Sequence, residues 1–201
     1  MNQIIKNTII LFVITLVAGI CLGTVHDITL DPIAQAQEAA ATKTYQEVYP
    51  DAASFDEPQE LADAVTAAAD SISEWGFGKV TINDAKEALD ASGNQIGYLI
   101  TSTSAESYGG NVQIAVGITN EGELTGIGFL SISDTPGLGM RAKEPDFKDQ
   151  FIGKKAENLE VTKTGASADN QIEAISGATI TSKAVTNATD AAIYFVANCL
   201  A

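Results

Sequence analysis

Gly97 to Ser133 reads GYLITSTSAESYGGNVQIAVGITNEGELTGIGFLSIS. Three strand-like runs, GYLITSTS, NVQIAVGIT and ELTGIGFLSIS, are separated by the turn formers Gly109-Gly110 and Asn120-Glu121-Gly122. A fourth run, KVTIND from Lys79, precedes them. These short connections favour antiparallel pairing over crossover helices, so a dinucleotide-binding parallel sheet is not indicated. Helical patterns flank the sheet. Upstream, Phe55 to Ile72 places Leu61, Val65, Ala68, Ala69 and Ile72 at helical spacing. Downstream, ITSKAVTNATDAAIYFVANCL repeats the spacing with Ala184, Val185, Ala188, Ala192, Phe195 and Val196, with Thr181 or Ser182 as the expected N-cap. The fold class is therefore α+β, an antiparallel sheet with flanking helices.

Directly before the last helix stands Ser176-Gly177-Ala178-Thr179-Ile180-Thr181-Ser182. Helix N-termini leave backbone N–H groups open and carry partial positive charge, which suits an anion such as phosphate. Gly177 and Ala178 are small enough for a bulky group to approach, and Ser176, Thr179, Thr181 and Ser182 supply hydroxyls. The same residues also read as an ordinary hydroxyl-rich helix cap. Lys183 reads equally as a phosphate partner or a solvated lysine. Trp75 and Phe77 read as core aromatics more readily than as ring-flanking ones.

Towards the N-terminus, Thr8 to Val25 (TIILFVITLVAGICLGTV) carries no charge and is long enough to cross a bilayer as a helix. Lys6 precedes it and Asp27 and Asp31 follow, so the positive-inside rule puts the N-terminus in the cytoplasm and the rest outside. The small-residue site Ala34-Gln35-Ala36 lies too far downstream for a cleavable signal, and Ile20 before Cys21 does not suit a lipoprotein signal. The expected organisation is a cytoplasmic tip and single transmembrane anchor over 1–26, a partly helical stalk over 27–44, and one extracytoplasmic domain over 45–201.

A formal net charge of -15 over 201 residues argues against a nucleic-acid partner. With 45% hydrophobic residues the chain is not a disordered acidic tail. Cys21 and Cys199 are the only cysteines and His26 the only histidine, so no Cys/His cluster for zinc or iron–sulfur ligation and no disulfide framework can be assembled, and no metal site is expected. A bare threonine hydroxyl without a base is a poor nucleophile, so chemistry at Thr179 needs a second protein.

The string EAISGATITSKAV resembles the flavinylation motif of the covalent FMN-binding domain family, in which the last threonine of Ser/Thr-Gly-Ala-Thr carries FMN by a phosphoester bond. The match places the attachment at Thr179. A second string, DTPGLGMRAKEPDFKDQFIGK from Asp134, is similar to the segment beside the isoalloxazine in two related proteins, the G subunit of the Rnf-type complex and the C subunit of the sodium-pumping NADH:quinone reductase. Tyr108-Gly109-Gly110 and Val116-Gly117-Ile118 match as well. Glu173 stands where the family usually has aspartate, and Asp134 where it often has glutamate.

The resemblance implies a cofactor-binding set of Thr179, Ser176, Gly177, Ala178, Thr181, Ser182, Lys183, Thr135, Gly137, Leu138, Gly139 and Glu173. It implies covalent FMN in an electron-relay subunit of a membrane-bound ferredoxin:NAD oxidoreductase that moves Na+ or H+. Its implied partners are the other membrane subunits and a Mg2+-dependent FAD:protein FMN transferase. The alternatives are the Nqr-type C subunit of a sodium-translocating NADH:quinone reductase, for which the chain is short, and a non-redox membrane-anchored binding or scaffold protein. Charge supports a division of labour: residues 27–134 hold 18 acidic and 3 basic side chains, whereas 135–201 hold 8 and 7. The acidic part is expected to face solvent and the balanced part an anionic phosphate and a partner.

Overall fold

The computed structural model describes residues 2–155 and 158–200. The chain divides into two units, 1–41 and 42–201. The first unit is helical: α1 runs Gln3–Val48 and continues through Pro32, where the expected stalk was only partly helical. An 18-residue apolar window within it has no buried residue and a mean hydropathy of 2.6, the range of a membrane-crossing helix.

The second unit contains a five-stranded antiparallel meander in the order β1 (Ser54–Asp56), β2 (Val80–Leu89), β3 (Gln95–Ser107), β4 (Gly110–Thr119), β5 (Leu124–Ile132). Gly109-Gly110 and Asn120-Glu121-Gly122 fall at the β3–β4 and β4–β5 turns, as their backbone freedom requires. The helix expected over Phe55 to Ile72 is shorter. Phe55 pairs with Ala88 in the sheet, and α2 (Gln59–Ala68) begins only after Pro58, which disfavours helical geometry in the residue before it. A short helix α3 (Pro145–Lys148) lies between two 3-10 turns, and β6 (Glu160–Thr162) pairs parallel with β7 (Gln171–Glu173).

The last helix, α4 (Thr179–Cys199), packs along one face of the sheet. On β4, Val112, Ile114, Val116 and Ile118 point into this main core while Ala115 points the other way, the period of two that a strand dictates. α4 approaches closely because Ala184, Ala188, Ala191 and Ala192 are small, and Ser102 donates to the Ala188 carbonyl at 2.9 Å. The opposite face is not left to water. The last turn of α1 covers it, with Val48 against Leu99 and Ala115, and Thr125 donating to the Val48 carbonyl at 2.7 Å. Burial on both faces explains why these strands read as nearly continuous apolar runs.

Candidate functional site

Three segments meet at the N-terminal end of α4: the β3–β4 turn, the loop leaving β5, and the turn entering the helix. Gly109 allows the first two to touch, since a side chain there would strike the Ser133 carbonyl and the Asp134 backbone. The loop after β5 closes on itself, with the Thr135 carbonyl accepting from Leu138 N–H at 3.1 Å and Met140 N–H at 3.2 Å. Leu138 then reaches the third segment at Gly177, whose φ of +79° needs glycine and where a Cβ would sit 3.1 Å from the Leu138 side chain.

Asp134 ties these pieces together. It is 8% exposed, and its Oδ2 accepts from Ser107 Oγ at 2.7 Å and Thr181 Oγ1 at 2.6 Å, while Oδ1 accepts from Thr135 N–H at 2.8 Å. Burial pushes its pKa up. The hydrogen bonds from Thr181, Ser107 and the Thr135 and Gly109 N–H groups outweigh that and hold the carboxyl below the usual range, as an ion.

Between the three segments lies a cavity of about 500 Å3, lined by Tyr108, Asp134, Thr135, Leu138, Gly139, Gly177, Ala178, Thr179, Ile180 and Thr181. Its apolar lining includes Tyr108, Leu138 and Ile180, 73%, 43% and 55% exposed. The helix N-terminus opens into it. Its N-cap is Ala178, with no side-chain bond, rather than the expected Thr181 or Ser182, so a stabilisation worth about 1 kcal/mol is forgone. The first bond inside the helix runs from Ser182 N–H to the Ala178 carbonyl, which leaves the N–H groups of Thr179, Ile180 and Thr181 for another acceptor. Thr179 is partly exposed at the first helical position, and its hydroxyl takes no part in the side-chain bonds that occupy its neighbours.

Thr135, Leu138, Gly139, Gly177, Ala178, Thr179 and Thr181 are thus brought together. The hydroxyl of Thr181 is committed to Asp134, and that of buried Ser182 accepts from Ile175 N–H and donates to the Ala178 carbonyl, both at 3.0 Å. Gly137 forms the adjacent turn with φ +76°, and Lys183 is exposed on α4; neither lines the cavity. Ser176 and Glu173 line a neighbouring cleft of about 270 Å3 beside Arg141. Trp75 and Phe77 pack against Tyr194, the first tilted and the second edge-on, with ring centroids 4.7 and 5.9 Å away, some 20 Å along α4 from Thr179 at 1.5 Å per residue. A larger hollow of about 640 Å3 lies at the other end of α4, away from Thr179 and the loop from Asp134 to Gly139. Ile180 and the place of Asp134 in the cavity wall escape the sequence reading. The first looks like one more helical apolar residue, and the second depends on partners 27 and 47 positions away.

The segments that build the cavity match the family model described as FMN-binding domain, over residues 107–194, which defines the class as a flavin-binding domain behind an apolar N-terminal helix. Residues 1–48 match the model described as RnfG N-terminal region. The chain is 35% identical over 203 residues to the G subunit of the Na+-translocating ferredoxin:NAD+ oxidoreductase complex of Acetobacterium woodii, covering 97% of this chain and 92% of that one. It is 30% identical to the G subunit of the proton-translocating ferredoxin:NAD+ oxidoreductase complex of Clostridium ljungdahlii, covering 96% and 91%. Against the G subunit of the ion-translocating oxidoreductase complex of Methanosarcina acetivorans it is again 30% identical, covering 97% and 95%. The crystal structure of Shewanella oneidensis NqrC aligns with a TM-score of 0.45 at 19% identity, over 55% of this chain and 54% of that one. The chain belongs to the G-subunit family of ion-translocating oxidoreductase complexes.

Proposed function

We propose that this chain is the flavin-carrying electron-relay subunit of a membrane-bound, ion-translocating ferredoxin:NAD+ oxidoreductase, with FMN joined through its phosphate to Thr179. The observation that carries the reading is the pairing of an uncapped 21-residue helix with an uncommitted N1 hydroxyl at an apolar-lined cavity. A volume near 500 Å3 lies within the range that holds cofactors. The open N–H groups of Thr179, Ile180 and Thr181 suit the phosphate, and Tyr108, Leu138 and Ile180 give a flat ring apolar contact. FMN supplies electron transfer, and the protein tunes it through hydrogen bonds, charge and burial.

No base stands beside Thr179 to activate it, which fits modification by a separate FAD:protein FMN transferase. In that step the Thr179 oxygen bonds to the FMN phosphorus of FAD, the pyrophosphate bond breaks, AMP leaves, and the hydroxyl proton passes to a base on the transferase. Ser176, Gly177, Ala178 and Lys183 lie around the attachment turn, with Glu173 upstream. Thr135, Gly137, Leu138 and Gly139 form the facing wall and its turn. α1 anchors the chain as a single span with its N-terminus in the cytoplasm and the domain outside, because Lys6 lies on one side and Asp27 and Asp31 on the other. Its partners are the other membrane subunits of the complex.

Peptide mapping of protein purified from its own membranes tests this. A flavin phosphate adduct on the peptide containing Thr179, with other complex subunits copurifying, is the expected result. An unmodified peptide from a fully assembled complex contradicts it.

A further inference from the structure

We infer that Asp134 sets the redox potential of the bound flavin, holding it low through a buried negative charge in the cavity wall. The inference rests on the cavity being the flavin site. Asp134 is one of the residues lining it, is nearly inaccessible to solvent, and forms none of the ion pairs found among the described residues. Its charge is met only by dipoles: the hydroxyls of Ser107 and Thr181 and the N–H groups of Thr135 and Gly109.

Such donors keep the carboxylate ionised without cancelling its charge. A cavity of about 500 Å3 is roughly 10 Å across, so any group in its wall lies within a Debye length of about 8 Å of its centre, and buried charges are screened less than exposed ones. Reduction brings electrons onto the ring system, and a fixed anion at that range raises the energy of the reduced form relative to the oxidised one. Thr181 lies on the helix that holds the phosphate and Ser107 at the end of β3, so the same carboxylate also fixes the cavity walls.

Charge and scaffolding are separable by substitution. Asp134→Asn is isosteric: its oxygen keeps the Thr135 N–H, and its amide donates to the Ser107 and Thr181 hydroxyls, which reverse to accept. Ser107→Ala loosens the same network but keeps the charge, now with one dipole fewer to offset it. The midpoint potential of full-length, FMN-loaded protein in detergent is read by spectroelectrochemical titration of the flavin absorbance. Charge control predicts a positive shift for Asp134→Asn and a negative shift for Ser107→Ala, which loses one dipole that offsets the carboxylate. Asp134→Asn at or below wild type overturns the inference. Should Asp134→Asn fail to take up FMN, Ser107→Ala decides: a negative shift supports the inference, and an unchanged or positive potential overturns it. A wild-type protein that takes up no FMN despite active transferase sinks the reading of the site instead.

Discussion

Replacing Asp134 with alanine leaves two hydroxyls and two backbone N–H groups without their shared acceptor. Bonds to an ionised group are worth roughly 1.5–3 kcal/mol each, and part of that is recovered by water, so a loss of about 3 kcal/mol is expected in urea unfolding. The pH dependence has a fixed sign. The folded pKa lies below the unfolded one, so the stabilisation is present above about pH 4 and disappears as pH falls through the folded value. Stability curves of wild type and Asp134→Ala therefore converge towards acid pH. At this scale the sequence is uneven. Thr179 is legible because its motif is contiguous, and Leu138 because it tips a turn string. Asp134 is a charged residue before a loop until Ser107 and Thr181 are seen beside it.

At the scale of elements, α4 carries a second buried carboxyl. Asp190 is 5% exposed and accepts from Leu159 N–H at 2.9 Å, and burial pushes its pKa up to about 7 despite that bond. A raised acid pKa penalises folding as pH climbs from the unfolded value near 4 to the folded value. Asp190→Asn keeps the acceptor and removes the penalty. It is expected to be more stable than wild type above pH 7, on the order of 3 kcal/mol, with the gap closing near pH 4 in thermal melts. The end of α1 supplies another test. A Cβ at Gly128 would run into the side chains of Thr44 and Val48. Gly128→Ala should lower stability by about 1–3 kcal/mol and increase hydrogen exchange in the last turn of α1. The strand itself is readable from its apolar run. Its glycine is not, because the helix it admits lies some 80 residues earlier. The helix expected from Phe55 fails for a local reason, Pro58, which composition over the whole window obscures.

For the whole molecule, net charge and the apolar helix describe a membrane-anchored acidic domain. The pattern of α4 and strands β2 to β5 of the meander follow from spacing alone, whereas β1 and the start of α2 do not. Orientation has a direct readout. Cys199 is a free, exposed thiol near the end of α4, and Cys21 lies within the apolar stretch. A membrane-impermeant maleimide applied to spheroplasts at mildly alkaline pH should label wild type and not Cys199→Ser, since burial raises the Cys199 pKa. Labelling only after lysis would place the domain on the cytoplasmic side.

The central claim is that Thr179 carries a covalent flavin. Coexpression with an FAD:protein FMN transferase, followed by a denaturing gel viewed for flavin fluorescence, compares wild type with Thr179→Val. The account predicts a fluorescent band in wild type and none in Thr179→Val. A dark wild-type band despite active transferase, or a band that persists in the variant, would contradict it.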